Sequence, residues 1–123
     1  MAYRATRMNV TKFIRSFRYA LSGMKQAAAE QNFRVDLVAT ILVLAVSFLT
    51  GLSALEWCII ILLIAGMLAL EMVNSAIERV VDLATQDIHP LAKAAKDIAA
   101  GAVLVYALAS VVIACIIFLP KWF

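Results

Sequence analysis

Five polar residues, Glu71, Asn74, Ser75, Glu78 and Asp82, interrupt an otherwise largely apolar stretch. Their offsets of 3, 4, 7 and 11 from Glu71 confine them to a wedge of about 100° on a helix, so they form a stripe. Carboxylates are hard oxygen donors suited to a divalent cation, and a carboxylate partly withdrawn from water is a candidate general base near neutral pH. Further along, Lys93, Lys96 and Asp97 also fall within about 100° of one another on a helix. Ammonium groups beside cation-binding carboxylates are what a polyphosphate requires, the metal and the lysines sharing its negative charge. Lys93 taken alone reads first as an ordinary interfacial anchor. Glu30 is a further acid at the same level, and His89, the single histidine, precedes Pro90 in a connector. One histidine makes no metal site by itself.

Long apolar segments must position this chemistry. Leu37–Leu55 and Ile98–Pro120 are uncharged runs of nineteen and twenty-three residues; at 1.5 Å per residue each can cross a hydrocarbon layer of roughly 30 Å. The middle run, Trp57–Leu70, has only fourteen uncharged residues and spans only by taking Glu71 and its neighbours into the bilayer. Measured from Trp57, Glu71 lies roughly 21 Å along the helix and Glu78 roughly 31 Å. One acid is therefore within the membrane, and the next is at its boundary. A charged side chain at mid-membrane costs about 2.5–3.5 kcal/mol on insertion scales, so such a residue marks function by default. The expected segments are a surface helix over 11–31 and spans over 33–51, 56–84 and 92–119, all in one domain covering 1–123.

The composition agrees with a lipid-embedded chain. Of 123 residues 65% are hydrophobic, and the mean hydropathy is +0.96, above soluble averages. Seven of the eleven basic residues lie between Arg4 and Arg34, and the connector from Gly51 to Glu56 has none. The positive-inside rule then places the N-terminus in the cytoplasm and the C-terminus outside. Phe13, Ile14, Phe17, Leu21, Met24 and Ala28 share one face of the first helix, and Lys12, Arg15, Arg18 and Lys25 share the other. Such a helix suits the anionic cytoplasmic leaflet. The first thirty residues carry charge throughout and have no apolar core, unlike a secretory leader. Cys58 and Cys115 sit in apolar runs and read as small core residues. The four glycines stand singly, so neither GxxxxGK[ST] nor GxGxxG is present, and any nucleotide must be held by side chains and metal. Three readings remain open at this point: a phosphoryl-transfer enzyme, an ion-coupled transporter using Glu71 as its proton site, and a structural membrane subunit. Lys96 and Asp97 beside the acids favour the first, because a transporter has no need of them.

The string Glu71-Met-Val-Asn74-Ser-Ala-Ile-Glu78-Arg-Val-Val-Asp82, followed by His89-Pro-Leu-Ala-Lys-Ala-Ala-Lys96-Asp97, closely resembles the prokaryotic diacylglycerol kinase family. Glu30-Gln-Asn-Phe-Arg34 matches the element that ends the family's surface helix. The resemblance implies an all-α integral membrane fold of three transmembrane helices plus an N-terminal amphipathic helix, assembled as a homotrimer with active sites shared between subunits. It also implies an ATP-dependent kinase for a membrane lipid alcohol, with Mg²⁺ as cofactor and no nucleic-acid partner, in the plasma or inner membrane. Glu71 corresponds to the catalytic base and Asn74 to an active-site amide. Glu30 and Glu78 correspond to ligands of the nucleotide's Mg²⁺. Asp87, His89, Lys96 and Asp97 match nucleotide-contacting positions, as does Tyr19 across a one-residue gap. The segments SFRYALSGMKQAAAEQNFR and HPLAKAAKDIAAGAVL look more like the Gram-positive branch, in which undecaprenol rather than diacylglycerol is the common acceptor.

Overall fold

A computed structural model describes residues 9–123; Arg4 and Arg7, counted above for orientation, lie outside the described residues. Four helices follow one another: α1 Val10–Ala27, α2 Gln31–Thr50, α3 Ala54–Ala84 and α4 Pro90–Trp122. The last three are long and apolar enough to cross a membrane.

Asn9 starts α1 by accepting hydrogen bonds on its side chain from the backbone N–H groups of Thr11 and Lys12, at 3.1 and 3.3 Å, as an N-cap should. The apolar face of α1 remains exposed, with Phe13 and Phe17 edge to face at 5.0 Å. The helix stops at Ala27, short of the expected 31, although Ala28-Ala29-Glu30-Gln31 contains no breaker. Local hydrogen bonds of a turn replace the next helical ones there. The Glu30 N–H donates to the Ala27 carbonyl at 2.9 Å, and Arg34 Nε donates to the Ala28 carbonyl at 2.9 Å. The chain turns, and Glu30 becomes the N-cap of α2 with its carboxylate turned away from its own helix.

α2 ends at Gly51, whose φ of +79° lies in the left-handed region that favours glycine. Ser53 and Glu56 then open α3 with a reciprocal capping box. α3 and α4 contain 31 and 33 residues, about 46 and 50 Å of helix, so both project beyond a roughly 30 Å apolar layer. That projection carries Glu78 and Asp82 of the acidic stripe and Lys93 and Lys96 of α4. His89 caps α4, its Nδ1 accepting from the Leu91 N–H at 3.1 Å, and Pro90 occupies the first turn where no donor is needed.

α3 and α4 pack most closely. The Tyr106 hydroxyl donates to the Leu62 carbonyl at 2.9 Å and lies over Gly66, where an added Cβ would collide with the phenol ring. At the end bearing Trp57 and Trp122, a small core of Ile60, Ile117 and Phe118 is closed by polar ties. Lys121 pairs with Glu56 at 3.0 Å, and Trp122 Nε1 donates to Thr50 Oγ1 at 3.0 Å. Most large apolar side chains of the spans stay exposed on the single chain, an arrangement that lipid or neighbouring copies tolerate and water does not. Cys58 and Cys115 belong to that outer surface: both are free and exposed, which corrects their reading as core residues. Apolar runs that face lipid look the same in sequence as runs that face protein.

Candidate active site

Helix periodicity alone puts the α3 stripe on one face, and packing then grades it by depth. Glu71, Asn74 and Ser75 are buried at 7, 7 and 9% exposure; Glu78 is half-buried, and Arg79 and Asp82 are more open, with side chains 53 and 61% exposed. The grading follows the direction of α3 out of the bundle. It leaves one carboxylate enclosed by protein and the others progressively closer to water.

The α1–α2 turn comes down onto this face. Ser75 Oγ donates to Glu30 Oε2 at 2.7 Å, across 45 residues of sequence. Arg79 donates from Nη2 to Glu30 Oε1 at 3.1 Å and from Nη1 to Gln26 Oε1 at 2.8 Å. Glu30 is thus held against α3 through both oxygens. On the other flank of the stripe, Asn74 Nδ2 donates to Glu78 Oε1 at 3.4 Å. From α4, Lys96 Nζ meets Asp82 Oδ1 at 2.6 Å, and Lys93 pairs with Asp97 one turn further along its own helix.

Asp36, in the second turn of α2, is half-buried and is the acid of that helix nearest in influence to Glu71. Asp36 Oδ2 and Asn74 Oδ1 are buried with no hydrogen-bond partner among the described residues. Orphaned buried acceptors are costly in a finished core and common at a site awaiting a ligand. Below Asp36 an apolar groove of about 260 Å³ runs between α2, α3 and α4, lined by Thr40, Val43, Ile60, Met67 and Ser110 among others.

Chemically, this end of the bundle offers one buried carboxyl, Glu71, the half-buried acids Asp36, Glu30 and Glu78, and an unpartnered amide oxygen. Among the described residues no three His, Cys, Asp or Glu side chains converge on one point. Mg²⁺ does not need them to: it is usually bound by one or two carboxylates together with substrate phosphates and water. Glu78 and Glu30 are hard-oxygen donors of the kind such an ion takes.

The remaining sequence candidates are more scattered. Tyr19 is exposed on α1, and Asp87 and His89 lie in the exposed α3–α4 connector. Among the described residues none of the three makes a hydrogen bond or ion pair to the stripe, and Asp97 is engaged by Lys93. Sequence reasoning missed Asp36 and the polar grip of Ser75 and Arg79 on Glu30. The sole signal for Asp36 was an acid placed immediately before an apolar run.

The sequence profile of the prokaryotic diacylglycerol kinases matches residues 18–118. An undecaprenol kinase of Bacillus subtilis is 51% identical over 94% of this chain and 94% of its own length. A diacylglycerol kinase of Synechocystis is 41% identical over 85% of this chain and 61% of its own length. A diacylglycerol kinase of Escherichia coli K12 is 31% identical over 87% of this chain and 88% of its own length.

Proposed function

The chain belongs to the prokaryotic diacylglycerol kinase family and is a membrane lipid kinase, and we propose that its acceptor is the primary hydroxyl of undecaprenol in preference to diacylglycerol. The 51% relative that bears the undecaprenol name, against 41 and 31% for two diacylglycerol kinases, supports that preference. The groove below Asp36 suits the first isoprene units of such a lipid, the rest of its tail lying in the bilayer.

The carrying observation is the burial gradient along α3. Glu71, enclosed by protein on the membrane side of Glu78, accepts the proton of the lipid hydroxyl as its oxygen attacks the γ-phosphorus of ATP. The bond from the γ-phosphorus to the bridging oxygen breaks, ADP departs, and the lipid leaves as its monophosphate. Asn74 orients the reacting groups through its side-chain amide. Glu30 and Glu78 are the residues that would hold Mg²⁺, which when bound neutralises charge on the phosphates. Lys96 contacts phosphate oxygens, and Asp97, Asp87, His89 and Tyr19 complete the nucleotide contacts. The family resemblance implies a homotrimer, and three spans that enclose little space by themselves are in keeping with neighbours closing each site. The N-terminus and the acidic end lie in the cytoplasm, where ATP is, and the C-terminus lies outside.

Reconstitution into bilayers with Mg·ATP and either undecaprenol or diacylglycerol tests this reading. The expected result is a lipid monophosphate from both, with undecaprenol winning when the two compete. No product from either lipid would sink the kinase reading, and preference for diacylglycerol would overturn the choice of acceptor alone.

A further inference from the structure

We infer that Arg79 is a polyphosphate-binding residue, held on Glu30 and Gln26 until nucleotide draws it away. The inference rests on the kinase reading above and adds a residue to it.

Arg79 lies one turn beyond Ser75 at the edge of the acidic wedge. Its two terminal nitrogens grip different acceptors of the α1–α2 region, Gln26 Oε1 at 2.8 Å and Glu30 Oε1 at 3.1 Å. Ser75 takes the other Glu30 oxygen at 2.7 Å. Both oxygens of an acid proposed to hold the nucleotide's metal are therefore engaged inside the chain, one of them by a competing cation. The grip is weak by its setting: the Arg79 and Glu30 side chains are 53 and 31% exposed, and exposed ion pairs contribute little.

The charge balance says what would break it. Glu30, Asp36, Glu71, Glu78, Asp82 and Asp97 crowd this end of the bundle, while Lys96 is tied to Asp82 and Lys93 to Asp97. Of the cations on α3 and α4 at this end, Arg79 is the one whose grip is shared between a carboxylate and a neutral amide, so a triphosphate entering the field can draw it away. A guanidinium suits phosphate better than a lone carboxylate oxygen does, because its planar fork meets two oxygens at once. As Arg79 moves to the phosphates, Glu30 Oε1 is released to the metal. Nucleotide and metal then favour each other's binding through one residue.

The test uses the full chain in lipid nanodiscs, as wild type, Arg79→Gln, Arg79→Lys, Glu30→Gln and the Glu30→Gln/Arg79→Gln double variant. Binding of a fluorescent ATP analogue and, separately, of Mn²⁺ alone by electron paramagnetic resonance are measured without lipid substrate. Arg79→Gln is expected to bind nucleotide roughly ten- to a hundredfold more weakly, the loss of one charge-assisted contact, and Arg79→Lys to recover part of it. Mn²⁺ alone is expected to bind Arg79→Gln more tightly than wild type, a gain that disappears in the double variant. Unchanged nucleotide affinity in an Arg79→Gln protein with wild-type thermal stability overturns the inference. So does weaker Mn²⁺ binding by that variant, which would make Arg79 a mere support for Glu30. Wild type that binds no nucleotide defeats the kinase reading itself, a result distinct from either.

Discussion

At the end of the bundle bearing Trp57 and Trp122, Glu56 caps α3 with Ser53 and also pairs with Lys121, while Trp122 donates to Thr50. At the opposite end, acids crowd together, and Asp36 Oδ2 and Asn74 Oδ1 are buried without partners among the described residues. The helices are continuous between the two ends, so the difference lies in the side chains placed on them. One end has matched its polar groups, and that matching fixes how the three spans meet. The other leaves acceptors unsatisfied within protein, a cost to stability that persists where a ligand supplies the missing partner.

Perturbing the acidic end should affect chemistry, and perturbing the tryptophan end should affect only stability. The largest effect is expected for Glu71→Gln, which keeps shape and removes the proton acceptor: kcat should fall about 10²–10⁴-fold in a lipid phosphorylation assay with little change in KM for ATP. Substantial residual turnover would place the base elsewhere. Glu78→Gln should act on binding instead, raising the Mg·ATP requirement about 10–100-fold in a titration of nucleotide at fixed lipid. A pure kcat defect there would erase the distinction between the two acids. Gly66→Ala strikes between the ends, where a methyl group must displace Tyr106. It should cost about 1–3 kcal/mol of stability by overpacking, seen as a lower Tm in detergent, and an unchanged Tm would show that the α3–α4 contact yields easily. Smallest of all, Lys121→Ala should lower Tm by a few degrees or less and leave turnover alone. A turnover defect from that variant would mean that the two ends are coupled.

The parts of this organisation carried by local pattern are legible in the amino-acid sequence itself. Charge-free runs mark the three spans, and the offsets from Glu71 to Asp82 form a stripe whatever surrounds it. Distance along α3 is legible too, since it needs only a rise per residue and a starting tryptophan. Contacts set by how helices meet are not. Ser75 reaches Glu30 across 45 residues, and Asp36 comes near Glu71 only because α2 packs on α3 in one particular register. Arg79 reads in sequence simply as one more basic residue near the cytoplasmic face, since its partners depend on a turn at Ala28–Glu30 that no glycine or proline announces. The cysteines mislead for a related reason, as burial in lipid and burial in protein select the same residues.

The central claim is that burial divides the α3 acids by task, with Glu71 serving the lipid hydroxyl and Glu78 the nucleotide. Equilibrium binding of a non-hydrolysable ATP analogue with Mg²⁺ to Glu71→Gln and Glu78→Gln, side by side in the same bilayers, tests it most directly. Affinity equal to wild type for Glu71→Gln and markedly weaker for Glu78→Gln is the expected result. Loss of binding by Glu71→Gln, or its retention by Glu78→Gln, would contradict the division.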